Sequence, residues 1–102
     1  MSARLVALYR IPQGQRDVFL EHYHTVHRPL AEALPGLRDM VVTGVREHIE
    51  GEADVSLIAV MTFPDRATLQ QALESPEGRA AGRDLRGFAD GLVTLLVTED
   101  EP

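Results

Sequence analysis

Hydrophobic and polar positions follow two different periods along this chain, and the changes of period mark out its elements. Ala3 to Ile11 reads as a strand in which Leu5-Val6-Ala7-Leu8-Tyr9 is apolar on both faces, and Pro12-Gln13-Gly14 turns it. From Gln15 to Leu34 the spacing changes. Phe19, Tyr23, Val26, Leu30 and Leu34 recur three and four apart, which predicts a helix with one buried stripe, stopped by Leu34-Pro35-Gly36. Leu37 to Ile49, with Met40, Val41, Val42 and Val45, predicts a second strand, and Glu50-Gly51-Glu52 turns it tightly into a third, Ala53 to Phe63. Asp65 is a suitable N-cap for a second helix with Leu69, Ala72 and Leu73 on its apolar side. Ser75-Pro76 restarts a helix that should run to about Asp90. Gly78, Gly82 and Gly87 weaken it by up to about 1 kcal/mol each relative to alanine, so it is expected to be the loosest element. Gly91 ends it, Leu92 to Thr98 is a closing strand, and the acidic end from Glu99 to Pro102 is expected to fray.

Strand, helix, strand, strand, helices, strand is the βαββαβ order of an α+β, ferredoxin-like, four-stranded antiparallel sheet with its helices on one face. A sheet with one wet face should alternate apolar and polar residues. These strands do not alternate. Leu5, Ala7 and Tyr9 oppose Val6 and Leu8; Val55, Leu57, Ala59, Met61 and Phe63 oppose Ile58 and Val60; Leu92 and Leu96 oppose Val93, Leu95 and Val97. Both faces need cover, and the helices suffice for one. At about 25 cal/mol per Å² a wet apolar face forgoes many kcal/mol. A second copy packed sheet to sheet is the simplest cover, giving a homodimer through the open sheet face.

Composition narrows the function. The length, 102 residues, suits a single domain spanning 1–102. Ten basic residues are scattered among sixteen acidic ones, for a net charge of −6, so nothing here grips a phosphate backbone and nucleic acid is not an expected partner. There is no cysteine, hence no disulfide, thiolate nucleophile or cysteine-ligated metal. No apolar run approaches the roughly 18 residues of a membrane span, and no leader pattern precedes the first strand; no membrane association and a cytoplasmic location are the expectation.

The stretch His22-Tyr23-His24-Thr25-Val26-His27-Arg28-Pro29-Leu30 holds three of the four histidines. Histidine, with a reference pKa near 6.5, trades protons at neutrality. On a regular helix His27 lies at the shoulder of the apolar stripe, His24 toward the polar boundary and His22 on the other flank, so the three do not converge. Pro29 cannot bond the carbonyl of Thr25, and at about 3 kcal/mol for a regular helix interior it predicts a kink or break near Arg28. His24 and His27 alone do not make a metal site, which needs three or more converging ligands, so no metal is expected. His48, beside Arg46 and Glu47, reads as a solvated strand end, and no motif marks a heme ligand.

The chain resembles the EthD family of the dimeric α/β-barrel superfamily. The residues that carry the resemblance are Phe19, Tyr23, His27, Pro29, Leu30 and Leu34-Pro35-Gly36-Leu37, followed by Ser75-Pro76-Glu77, Asp84 and Phe88. It implies a ferredoxin-like subunit, a dimer closed as a barrel, and a pocket between helix and sheet. It also implies a cofactor-free enzyme on a small hydrophobic, carbonyl- or lactone-bearing molecule, of isomerase, lyase or dehydratase type. His27 would be the general acid/base, with Tyr23, His24 and Tyr9 as substrate-binding residues; Tyr9, on a strand apolar on both faces, faces either the pocket or the dimer seam. A cofactor-independent monooxygenase and a non-catalytic metabolite-binding dimer are the alternatives, and a partly buried structural histidine is the alternative for His27 itself.

Overall fold

The computed structural model describes residues 1–52 and 54–102. Its four strands are β1 (Ala3–Tyr9), β2 (Asp39–Gly44), β3 (Leu57–Phe63) and β4 (Val93–Glu99), all antiparallel in the order β2-β3-β1-β4. With β1 and β3 central, this is the ferredoxin-like sheet. The period-two pattern places Ala3, Leu5, Ala7 and Tyr9 beside Leu57, Ala59, Met61 and Phe63 on one face, where all eight are buried. Helices α1 (Arg16–His22), α2 (Arg28–Glu32), α3 (Arg66–Glu74) and α4 (Pro76–Phe88) cover that face and add Phe19, Leu69 and Ala72 to the core, joined by Tyr23 between α1 and α2 and Leu34 just after α2.

The opposite face stays uncovered. Val6 pairs with Val60 and Leu96, and Val60 with Val41, so a row of four aliphatic side chains crosses the sheet; Val41 and Leu96 are exposed. Among the described residues, no helix is long and apolar enough to cross a membrane.

Three predicted elements end elsewhere. The second strand stops at Gly44 rather than Ile49; among the described residues, the backbone bond that continues its pairing is the one from the Val45 N–H to the Ser56 carbonyl. The third begins at Leu57, so residues 45–52 and 54–56 lie outside the strands in place of a tight hairpin turn; the expected start at Ala53 lies outside the described residues. The closing strand extends to Glu99, and Arg4 holds Asp100 at 2.8 Å, so the acidic end is tied down at its start.

The last two helices follow their caps. The Asp65 carboxylate accepts from the Thr68 N–H at 2.8 Å, and the Ser75 hydroxyl accepts from the Gly78 N–H at 3.0 Å with Pro76 in the first turn. Gly78 is there for room: a Cβ would run into the backbone carbonyls of Ala72 and Leu73, where α3 meets α4.

Candidate active site

The helical path from Arg16 to Glu32 does not break at Pro29. His27 (φ −70°, ψ −46°) and Arg28 (φ −57°, ψ −45°) keep helical angles, which corrects the expected kink or break. The backbone instead widens to a π-turn over Tyr23–His27, where the Arg28 N–H reaches back five residues to the Tyr23 carbonyl. The Thr25 hydroxyl donates to the Glu21 carbonyl at 2.6 Å. The proline's missing donor is thus absorbed by a change of hydrogen-bond register rather than by a break.

The wider turn re-aims the histidines. In an α-helix five residues advance the chain about 140° beyond a full turn, which separates their side chains. Closing a turn at the fifth residue brings His22 and His27 to one side, where both meet Asp84 of α4. His27 Nδ1 lies 3.0 Å from Asp84 Oδ2, and His22 Nε2 lies 2.9 and 3.1 Å from Oδ1 and Oδ2. The expectation that the three histidines diverge is therefore corrected for two of them. His24 does diverge: it is exposed, edge-on to the Tyr23 ring at 5.4 Å.

Aromatic packing fixes the group. Phe88, one turn after Asp84, lies 4.5 Å from the His22 ring and 5.1 Å from that of His27, and Tyr9 packs edge-on to Tyr23 and Phe19. Exposure falls along the series, from 34% for the His22 side chain to 17% for Asp84 and 8% for His27.

Behind His27 is a cavity of about 70 Å³ between the sheet and helices α2, α3 and α4. Leu5, Met61, Ala81 and Leu85 help line it, and His27 and Tyr9 are the lining side chains with polar atoms. A carboxylate only accepts, so Nδ1 carries the His27 proton and Nε2 is the nitrogen left for the cavity. Of the residues expected to bind substrate, Tyr9 lines this cavity. Tyr23 and His24 do not. Tyr23 is fully buried, and its hydroxyl has no hydrogen-bond partner among the described residues.

Burial draws His27 below its ordinary value of 6.5; the bond to Asp84 and its charge pull the other way without cancelling it, and His22 adds to the depression. At neutral pH His27 is an uncharged base. Burial raises Tyr9, with Tyr23 and Asp84 adding to the shift, and lifts Tyr23 to about 12 against the opposing charge of Arg28, so both phenols keep their protons. His48 is exposed, with Nε2 3.1 Å from the Val55 carbonyl, far along the chain from this group. Among the described residues no three His, Cys, Asp or Glu side chains are arranged to hold a metal ion. Asp84 and His22 are the members of the site that carried no expected role. Asp84 is 57 residues beyond His27, and its meeting with His22 depends on a π-turn that side-chain periodicity does not report.

A family model described as the EthD domain matches residues 12–92, which takes in His22, His27, Asp84 and Phe88. The chain belongs to the EthD family. An EthD-family protein of Bacillus halodurans C-125 is 40% identical, with a TM-score of 0.90 over 99% of this chain and 100% of that one. An uncharacterized 11.0 kDa protein from the thcB–thcC intergenic region of Rhodococcus erythropolis is 32% identical over 99 residues, 96% of this chain and 94% of the relative. A dimeric ferredoxin-like protein of unknown function from Jannaschia sp. CCS1 is 16% identical, with a TM-score of 0.73 over 98% of this chain and 100% of that one; this likeness is one of fold. EthD members sit within the dimeric α/β-barrel superfamily, and this chain carries that subunit fold.

Proposed function

We propose that this EthD-family chain is a small-molecule enzyme in which His27, held by Asp84, moves protons on a hydrophobic carbonyl- or lactone-bearing metabolite. The observation that carries the reading is a buried histidine whose Nδ1 is fixed by a carboxylate and whose Nε2 is left for an apolar cavity. That is how a general base is oriented. Nε2 takes a proton from the carbon next to the carbonyl, Asp84 stabilises the imidazolium that forms, and the same nitrogen returns the proton to another atom of the molecule. Tyr9 is the donor on the same wall that suits the carbonyl oxygen. The reaction is then an isomerisation or an elimination.

The cavity is less than half the roughly 150 Å³ that holds benzene, so it admits the reacting end of a ligand rather than a whole one. Leu95 on β4 lines it while remaining 48% exposed, which puts the mouth at that edge of the sheet. The bare aliphatic row on the opposite face supports a homodimer through the open sheet face, and a neighbour of the same fold is described as dimeric.

The test is exchange of the carbon-bound proton beside the carbonyl, followed by NMR in deuterated water over a panel of small lactones and enones, with His27→Gln as control. Exchange by the wild type that is lost in the variant supports the reading. Binding without exchange by either protein replaces it with a metabolite-binding dimer.

A further inference from the structure

The cavity that His27 lines is not the only space beside this group. A groove open to water lies on the outer side of α1, formed by Gly14, Val18, Phe19, His22, Phe88 and Leu92. His22 lines the groove and not the cavity; His27 lines the cavity and not the groove; Asp84 lines neither and bonds to both. A carboxylate bridging a buried imidazole and a half-exposed one, each facing a different space, is more than orienting a single base requires.

We infer that His22 is the outer end of a proton relay, His22–Asp84–His27, joining the cavity to water in the groove. The inference rests on the acid/base reading of His27 and adds to it a route by which that residue is recharged or emptied. In the outward direction His27, protonated on both nitrogens, gives its Nδ1 proton to Asp84 Oδ2. At rest His22 donates from Nε2 to the carboxylate; for the transfer its half-exposed ring first shifts that proton to Nδ1 through water, the carboxyl group then passes a proton to the vacated Nε2, and the Nδ1 proton leaves to water. One proton enters at His27 Nε2 and one leaves at His22 Nδ1; the carboxylate and His22 end as they began, and His27 keeps its remaining proton on Nε2. The inward direction reverses each step. Asp84 Oδ2 is within hydrogen-bond distance of both rings, 3.0 Å from one and 3.1 Å from the other, so neither transfer requires a side chain to swing. Phe88 lies tilted against both rings, at 4.5 and 5.1 Å, on the same side of the group. His22 touches no ligand in the cavity, so its role is that of a positioning and relay residue.

The experiment follows the Nδ1 proton of His27 by NMR in protein labelled with 15N-histidine, measuring its exchange with water near neutral pH. His22→Gln is the informative variant, since its amide still donates to Asp84 but passes no proton. Exchange slowed by about tenfold or more, as expected when a positioned acid/base is removed, supports the relay. Equal rates in the two proteins overturn it and leave His22 a structural partner of Asp84. A wild-type His27 found with its proton on Nε2 sinks the acid/base reading itself, which this measurement thereby separates from failure of the relay. His22→Phe, packed against Phe88, repeats the comparison if the glutamine variant does not fold.

Discussion

Replacing Asp84 by asparagine keeps the size of the side chain and removes its charge. In the wild type two influences oppose each other at His27: burial disfavours the imidazolium, and the carboxylate 3.0 Å away favours it. Burial wins, and the residue titrates below 6.5. A hydrogen bond to a charged group is worth about 1.5–3 kcal/mol. Losing it costs the protonated form roughly one to two pH units at about 1.4 kcal/mol per unit. His27 in Asp84→Asn should therefore titrate about one to two units lower than in the wild type. The assay is the pH dependence of the His27 ring C–H cross-peak, assigned with His27→Gln. The same change predicts stability. Wherever the unfolded chain binds the proton more readily than the fold, acid destabilises. Below about 6.5 the wild type should lose stability, and Asp84→Asn should keep losing it to lower pH because its folded-state value lies further down. A His27 midpoint that stays in place or rises in Asp84→Asn would refute the opposition of burial and carboxylate on which the site is built.

Other expectations are simpler to check. Gly78→Ala should destabilise by about 1–3 kcal/mol in urea unfolding, because its methyl meets the carbonyls of Ala72 and Leu73. Gly87→Ala, whose methyl meets nothing, should instead stabilise by up to about 1 kcal/mol. Tyr23→Phe should cost less than the roughly 1 kcal/mol of an ordinary lost hydrogen bond, and a larger loss in thermal melts would mean that the hydroxyl is bonded in solution. Val60→Glu, in the middle of the bare aliphatic row, should yield monomer by sedimentation at concentrations where the wild type is dimeric.

The topology was legible because each strand carries its period-two pattern through to its partner: Leu5, Ala7 and Tyr9 on β1 match Met61, Ala59 and Leu57 on β3 in register. Capping residues placed the starts of the last two helices, with Asp65 and Ser75 bonding as their positions suggested. The stretch after Gly44 was not legible, since Val45 and Ile49 look like strand residues and only the lack of a bonding partner ends the strand; Ile49 is 90% exposed. His27 stood out from its place at the shoulder of the first helix's apolar stripe; Tyr9 lines the same cavity, but a strand apolar on both faces did not say which face it would take. Tyr23 is buried and His24 exposed, as the apolar stripe implies, but neither lines the cavity; what the wider turn changes is the direction of His22, which a regular 3.6-residue period sends away from His27. Asp84 belongs to the run that carries the family resemblance, but its pairing with the histidines had no local signal, an acidic residue on an arginine-rich helix being ordinary surface chemistry.

The π-turn is an α-helix with one residue to spare, which makes the pairing of His22 with His27 a matter of counting. Deleting Thr25 alone would let the backbone close in ordinary α register and leave the two histidines four apart, again on one face, with the helix shorter by one step of about 1.5 Å. Both rings would stay on the side of Asp84. What separates a fold that possesses the histidine–aspartate group from one that keeps the same sheet, the same helices and the same two histidines without it is therefore the match of count to turn: five residues closed as a regular α-helix would set the rings about 140° apart.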